Sequence, residues 1–382
     1  MRKGLSAVLL ALLVLSGCAP TFEKQDQVVQ EDQDSQAKKA IIPSYQISEG
    51  YYKTLLPYEP SATRGVVVNN LESRYDLNEF ETGLLRMAKK TFSTKSYLFK
   101  EGQILSKETI DSWLQRKYTS AQLKERKLKD TDNVGLNPVE EKGQNEPIYL
   151  AHIIEHNYLM KKEGDKVQLG GVVIGLALNS VEYSQTSTGA TSAEPISNET
   201  IKQQGAAIAS EVLKRLRERE ELQGVPITIA LFKQTSRDSI VPGSYFAFTN
   251  VKGEESTISN WEAVNESHFV FPSPEAKSAH SKDVNVFEEF ATKVQTYFPT
   301  YTGTVGRAFY QDNKLKELRV EIPLTFKGKA ETIGFTQYLS TFITKQFPAD
   351  WNVEVLITAS SNPEALILKK PNSKDPYVHV YE

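Results

Sequence analysis

One cysteine, Cys18, stands among 382 residues, so no intramolecular disulfide can form and no cysteine-rich metal knuckle can be built. Neither sign of charge dominates. The 45 Lys and Arg side chains face 48 Asp and Glu, a formal net charge of -3, which excludes a whole-chain bias toward nucleic acid. Long apolar runs are missing beyond the N-terminus, and no further membrane span is expected. The G-x-S-x-G elbow, the P-loop and the G-x-G-x-x-G fingerprint are all absent, so nucleophilic catalysis and dinucleotide binding have no candidate, and no cofactor is expected.

What is present begins at the N-terminus. Arg2 and Lys3 precede an apolar stretch from Leu5 to Leu15 that is too short to span a bilayer, the pattern of an export leader. Leu15, Ser16, Gly17 and Cys18 then fit a lipobox, whose small residues admit a lipoprotein signal peptidase to the bond before a diacylglyceryl cysteine. The alternative is an ordinary secretory peptide with a chance cysteine. Two acyl chains anchor stably, at about 0.8 kcal/mol per buried methylene. The chain is therefore expected on the extracytoplasmic face of the cell membrane, held through Cys18.

The reading divides the chain into a leader (1–18), a flexible polar tether (19–40) and two α+β units (41–275 and 276–382) with mixed sheets and strand-helix-strand crossovers. In the first unit a strand is expected over 65–68, followed by a helix opened by Asp76 and Glu79 in capping-box spacing. A second helix runs over 108–118 and an exposed charged connector over 124–130. Segments 147–161 and 167–183 read as a hairpin, followed by a long helix carrying Ile201, Ile208, Val212 and Leu216 and a strand over 225–232. The C-terminal third repeats that order: a strand through Leu318, Val320, Ile322 and Leu324, a helix with Ile333, Tyr338, Phe342 and Ile343, and a strand over 353–358. Two similar tandem units are expected from this. Asp283 is placed as the cap of the helix bearing Phe287 and Phe290, with the unit boundary at 272–280.

The one catalytic lead is His152-Ile153-Ile154-Glu155-His156, an H-x-x-E-H pattern. On a helix, His152 and His156 would share a zinc ion and Glu155 would activate its water, giving a surface hydrolase. The flanking Tyr149, Leu150 and Tyr158 favour a strand instead, which would separate the imidazoles by about 13 Å. Gly170, Gly171 and Gly175 fall in a strand pattern, where they permit close backbone packing. Basic residues between Arg86 and Lys129 outnumber acids and either face an anionic polymer or form solvated helix faces.

The segments Arg64-Gly65-Val66-Val67-Val68, Arg74-Tyr75-Asp76, Glu79-Phe80-Glu81-Thr82-Gly83-Leu84, Gly135-Leu136-Asn137-Pro138 and Ile174-Gly175-Leu176-Ala177-Leu178-Asn179-Ser180-Val181 carry a further signal. Through them the chain resembles the CamS family, the sex-pheromone-precursor lipoproteins of Gram-positive bacteria. The resemblance implies a surface-anchored α and β protein and a short apolar pheromone cut from the leader. Here the matching stretch is Ala11, Leu12, Leu13, Val14, Leu15, Ser16 and Gly17. The mature part is expected to bind an unidentified surface ligand or protein rather than to catalyse. A solute-binding variant of that reading requires a cleft between the units, with Trp261, Tyr245 and Phe246 as candidate lining.

Overall fold

A computed structural model describes residues 26–30, 38–65, 71, 74–140, 146–163, 166–185, 189–298, 303–325 and 328–382. The leader, Cys18 and residues 66–68 of the strand expected over 65–68 lie outside the described residues.

The first unit opens with β1 (Asp26–Gln30), β2 (Lys38–Ile42) and β3 (Lys53–Thr54). A flexible tether was expected over 19–40, but β1 pairs antiparallel with β2 and parallel with the start of β6 (Lys166–Leu178). Val28, Ala40 and Ile42 are buried with Leu55, Leu98, Leu159 and Val167. The small apolar islands around Val28 and Ile41 supply the contacts, and the polar residues between them mask those islands when composition is averaged.

Next come α1 (Arg74–Ala88), β4 (Tyr97–Glu101), α2 (Lys107–Trp113) and α3 (Ser120–Arg126). α1 starts ahead of Asp76, which is therefore no cap. Its buried carboxylate instead accepts hydrogen bonds from Gly243 N at 2.6 Å and Thr235 N at 3.2 Å, pinning a distant loop. The second helix ends at Trp113; the connector expected over 124–130 is exposed except at the half-buried Leu128, and its residues 124–126 close α3, which is started by a reciprocal Thr119 and Gln122 capping box.

β5 (Leu150–Lys162) and β6 form the expected antiparallel hairpin at the centre of the sheet. After β7 (Val181–Gln185) and β8 (Thr191–Pro195), α4 (Asn198–Arg217) crosses over to β9 (Ile227–Lys233), which lies parallel to β6; β10 (Ser244–Val251) and β11 (Glu262–Ala263) follow. The order β11-β10-β9-β6-β5-β4-β3 makes β6 central, so both its faces are covered. Val172, Ile174 and Leu176 meet α4 through Ile208, Val212 and Leu216; Val173 and Ala177 meet α1 through Phe80, Leu84 and Met87. Each of the buried Val, Leu, Ile, Phe and Met side chains here contributes roughly 1.5–3 kcal/mol. A Cβ on Gly171 would lie 2.2 Å from the Phe92 ring, which is why that position is glycine.

The second unit contains β12 (Glu266–Phe271), α5 (Pro274–Tyr297), β13 (Val305–Gln311), β14 (Lys314–Leu324), α6 (Lys329–Gln346), β15 (Val353–Ala359), β16 (Asn362–Lys369) and β17 (Tyr377–Val380). β12 already belongs to this sheet, so the second unit begins near residue 265, ahead of the expected boundary. Ser273 caps α5, whose backbone leaves helical geometry at His280; Asp283 accepts a hydrogen bond from Tyr310 Oη at 2.7 Å. α6 buries Thr332, Phe335, Leu339 and Ile343, while the expected stripe members Ile333 and Tyr338 are 38% and 36% exposed.

The sense of pairing runs antiparallel, antiparallel, parallel, antiparallel, antiparallel along β4-β5-β6-β9-β10-β11 and again along β12 to β17. The molecule is a mixed α+β protein whose two large sheets share this order of pairing senses. α5 and α6 pack into the second core, and β14 alternates, sending Leu318, Val320 and Ile322 inward and Glu317, Arg319 and Glu321 outward.

Candidate functional site

The outward face of the second sheet is not left to solvent. α1 turns Asn78, Thr82, Leu85, Arg86 and Lys89 toward it, and between them lies a cleft of about 790 Å³ whose other wall carries His268, Phe269, Arg307, Phe309, Glu317 and Arg319. Tyr52, Phe99, Val241 and Pro242 close it at the side of the first unit. A volume of this order suits a small ligand.

Arg86 ties the two units together at the edge of the cleft. Its guanidinium donates to Glu266 Oε2 at 2.9 Å and Oε1 at 3.3 Å, and to Glu79 Oε1 within its own helix. It also lies 4.4 Å from the centre of the Phe309 ring, and His268 stacks against that ring at 4.8 Å. His268 Nε2 is 3.5 Å from Glu79 Oε1. Burial acts to raise the Glu79 pKa, but His268 and Arg86 beside it hold the carboxyl below its ordinary range. Arg307 adds a further link between the units, donating to Ile240 O at 3.1 Å.

The H-x-x-E-H residues do not form the helical arrangement. They lie on β5, where alternation separates Glu155 from both imidazoles and spreads the imidazoles along the strand. The Glu155 carboxylate accepts from Gln103 N at 3.0 Å, Ile104 N at 3.1 Å and Leu105 N at 2.7 Å. His156 packs edge-on to Phe99 at 5.0 Å. Burial lowers the His152 pKa to about 4 and the His156 pKa to about 3, so both rings are neutral. Among the described residues no group of three or more His, Cys, Asp and Glu is arranged to hold a metal ion. A strand has its own reason here: β-branched and aromatic neighbours pair across to β6.

Tyr245, proposed as cleft lining, is fully buried in the core under α1, and Phe246 and Trp261 pack against the opposite core. The basic residues of 86–129 do not gather on one face. Arg86 and Lys89 face the cleft, Lys100 pairs with Glu59 at 2.8 Å, and Arg116 and Lys117 line a separate polar pocket of about 720 Å³. Sequence reasoning missed His268, Arg307, Phe309 and Arg319. The one local signal was a phenylalanine on the outward side of an alternating strand, Phe309 beside inward Ala308 and Tyr310.

Comparison with known proteins bears on the whole chain. The family model described as CamS sex pheromone cAM373 precursor matches residues 58–375. The structure of the C-terminal domain of the sex pheromone staph-cAM373 precursor from Staphylococcus aureus is 34% identical, with a TM-score of 0.70, covering 82% of this chain and 98% of that one. A sex pheromone precursor structure from Lactobacillus salivarius subsp. salivarius is 30% identical, with a TM-score of 0.80, covering 89% of this chain and 98% of that one. No curated protein matches. The breadth of the family match and the two structures agree: the chain belongs to the CamS family of sex pheromone precursors.

Proposed function

We propose that this chain is a lipoprotein held on the extracytoplasmic face of the cell membrane by a diacylglyceryl group on Cys18, and that its mature part works by binding a ligand in the cleft between α1 and the second sheet. The observation that carries the binding reading is the cleft itself: a space of about 790 Å³ whose walls come from both units and are fixed by the Arg86 contacts to Glu79 and Glu266. Its lining combines apolar side chains such as Leu85, Phe99 and Val241 with charged groups of both signs, a combination that suits holding a molecule. The leader supports a second product. Cleavage before Cys18 and ahead of Ala11 releases Ala-Leu-Leu-Val-Leu-Ser-Gly, the stretch that corresponds to the pheromone for which the family is named.

Native mass spectrometry of the chain purified from its own cells tests the cleft. A small bound species is expected, and Thr82→Trp, which fills the cleft from an exposed helix position, should remove it. An adduct that survives Thr82→Trp would place binding elsewhere. Anchoring is tested separately: Cys18→Ala should leave the leader uncut and abolish acylation, and a variant that matures normally and stays acylated would overturn it.

A further inference from the structure

Resting on the reading of Cys18 as an acylated anchor, we infer that the loop between β2 and β3, residues 43–52, is a second contact with the bilayer, laying Tyr45 and Ile47 into the headgroup layer. Tyr45 is 79% exposed and Ile47 74%, the two highest values among the exposed large apolar side chains of the described residues, and Tyr51 follows at 59%. Single apolar side chains on a surface need no explanation, but three within one short loop form a patch. The loop is tied so as to present them. Gln46 Nε2 donates to Tyr51 O at 2.7 Å and Ser48 O at 3.2 Å, Lys53 Nζ donates to Ser44 O at 3.1 Å, and Thr94 Oγ1 donates to Glu49 O at 2.7 Å.

Strand register places this loop where the tether arrives. Asp26 stands opposite Ile42 in the ladder of β1 and β2. Strand spacing and the extended length of the chain then keep Tyr45 within roughly 15 Å of Asp26 and Ile47 within roughly 22 Å. β1 meets the first residues of β6 in parallel, β4 and β6 both run antiparallel to β5, and β3 runs parallel to β4, so the starts of all four share one end of the sheet. Seven residues separate Cys18 from Asp26, and an anchored chain therefore holds this end toward the membrane. Tyrosine rings favour the headgroup layer, where the apolar body and the hydroxyl are both accommodated. Charge at this end is mixed: Lys95 pairs with Glu49 at 3.4 Å, and the turn from β5 to β6 carries Lys162 and Lys166 beside Glu163 and Asp165. The apolar side chains carry the contact, and the charged pair beside them keeps it shallow.

Hydrogen exchange read by mass spectrometry tests this on residues 18–382, coupled through the lone thiol of Cys18 to a maleimide-bearing phospholipid in phosphatidylcholine vesicles. The reference is the same chain with that thiol capped, mixed with plain vesicles. Amides of 44–51 should exchange at least about threefold more slowly in the coupled chain, while 371–378 in the second unit, which also carries an exposed tyrosine, Tyr377, should not change. The slowing should vanish in the double variant Tyr45→Ser with Ile47→Ser, whose fold is spared because both side chains stand in solvent. Equal exchange in coupled and capped chains would overturn the contact, as would slowing that survives the double variant. Slowing that fades as the coupled chain is diluted in lipid would assign the loop to a second copy of the chain and overturn the bilayer as its partner. Coupling is chemical, so the loop is tested whether or not cells acylate Cys18: an unslowed loop in a chain that cells do acylate overturns the contact alone, and a slowed loop in a chain that cells leave unacylated overturns the anchor alone.

Discussion

At Glu155 a buried carboxylate accepts three backbone amides of the loop after β4. Removing it strands those donors, so Glu155→Ala should cost about 3 kcal/mol in urea unfolding. Glu155→Gln, which keeps one carbonyl oxygen, should cost less. If zinc were held instead, both variants would change metal content, and analysis of the purified protein should find zinc below stoichiometric amounts and unaltered by His156→Ala. The neighbouring histidines predict a pH dependence. Their pKa values fall from the usual 6.5 to about 4 at His152 and about 3 at His156 when the chain folds. The unfolded chain therefore binds more protons below pH 6.5, and the stability that is full above that pH is lost as pH falls toward the folded values. Each ring removes about 1.4 kcal/mol per pH unit across this window. A His156→Leu variant should show a shallower decline of melting temperature between pH 6.5 and 4 than the unaltered chain; parallel curves would mean that His156 does not titrate as described.

At the scale of elements, β6 shows what local pattern reveals and what it hides. Its continuous apolar run announces a strand buried on both faces, and the β5 and β6 hairpin, the long α4 and the alternating β14 are all legible for similar reasons. Asp76 was misread because capping-box spacing is local, whereas its partners Thr235 and Gly243 lie more than 150 residues away. The stripe of α6 was misread because periodicity alone does not say which side meets a sheet. The cleft was beyond local reading altogether: Thr82 and Phe309 become neighbours only when two units dock, and no spacing in the chain encodes that. The packing at β6 makes its own prediction. Gly171→Ala forces a methyl group into Phe92 and should destabilise by about 2 kcal/mol. In a Phe92→Leu background the same change should cost less, a coupling that a double-mutant cycle reads directly.

The whole molecule is joined across the cleft by charge, and acid should weaken that joint. His268 and Arg86 hold Glu79 below its ordinary pKa, so the stability this pairing adds is present above the usual carboxylate range and is lost as pH falls through the folded value. Arg86→Leu leaves Glu79 and Glu266 facing each other with no guanidinium between them and should cost about 3 kcal/mol at pH 7. The deficit should shrink at pH 5, where the stranded carboxylates take up protons; an equal loss at both pH values would show that the joint is one of packing rather than charge. A different consequence follows from β1. Once that strand is counted into the body, only the seven residues 19–25 stand between Cys18 and Asp26, and fully extended they reach roughly 25 Å. With Cys18 acylated as proposed, the protein rides like a buoy on a short mooring. It samples only what comes within one body-length of the bilayer, and its neighbours must travel to it.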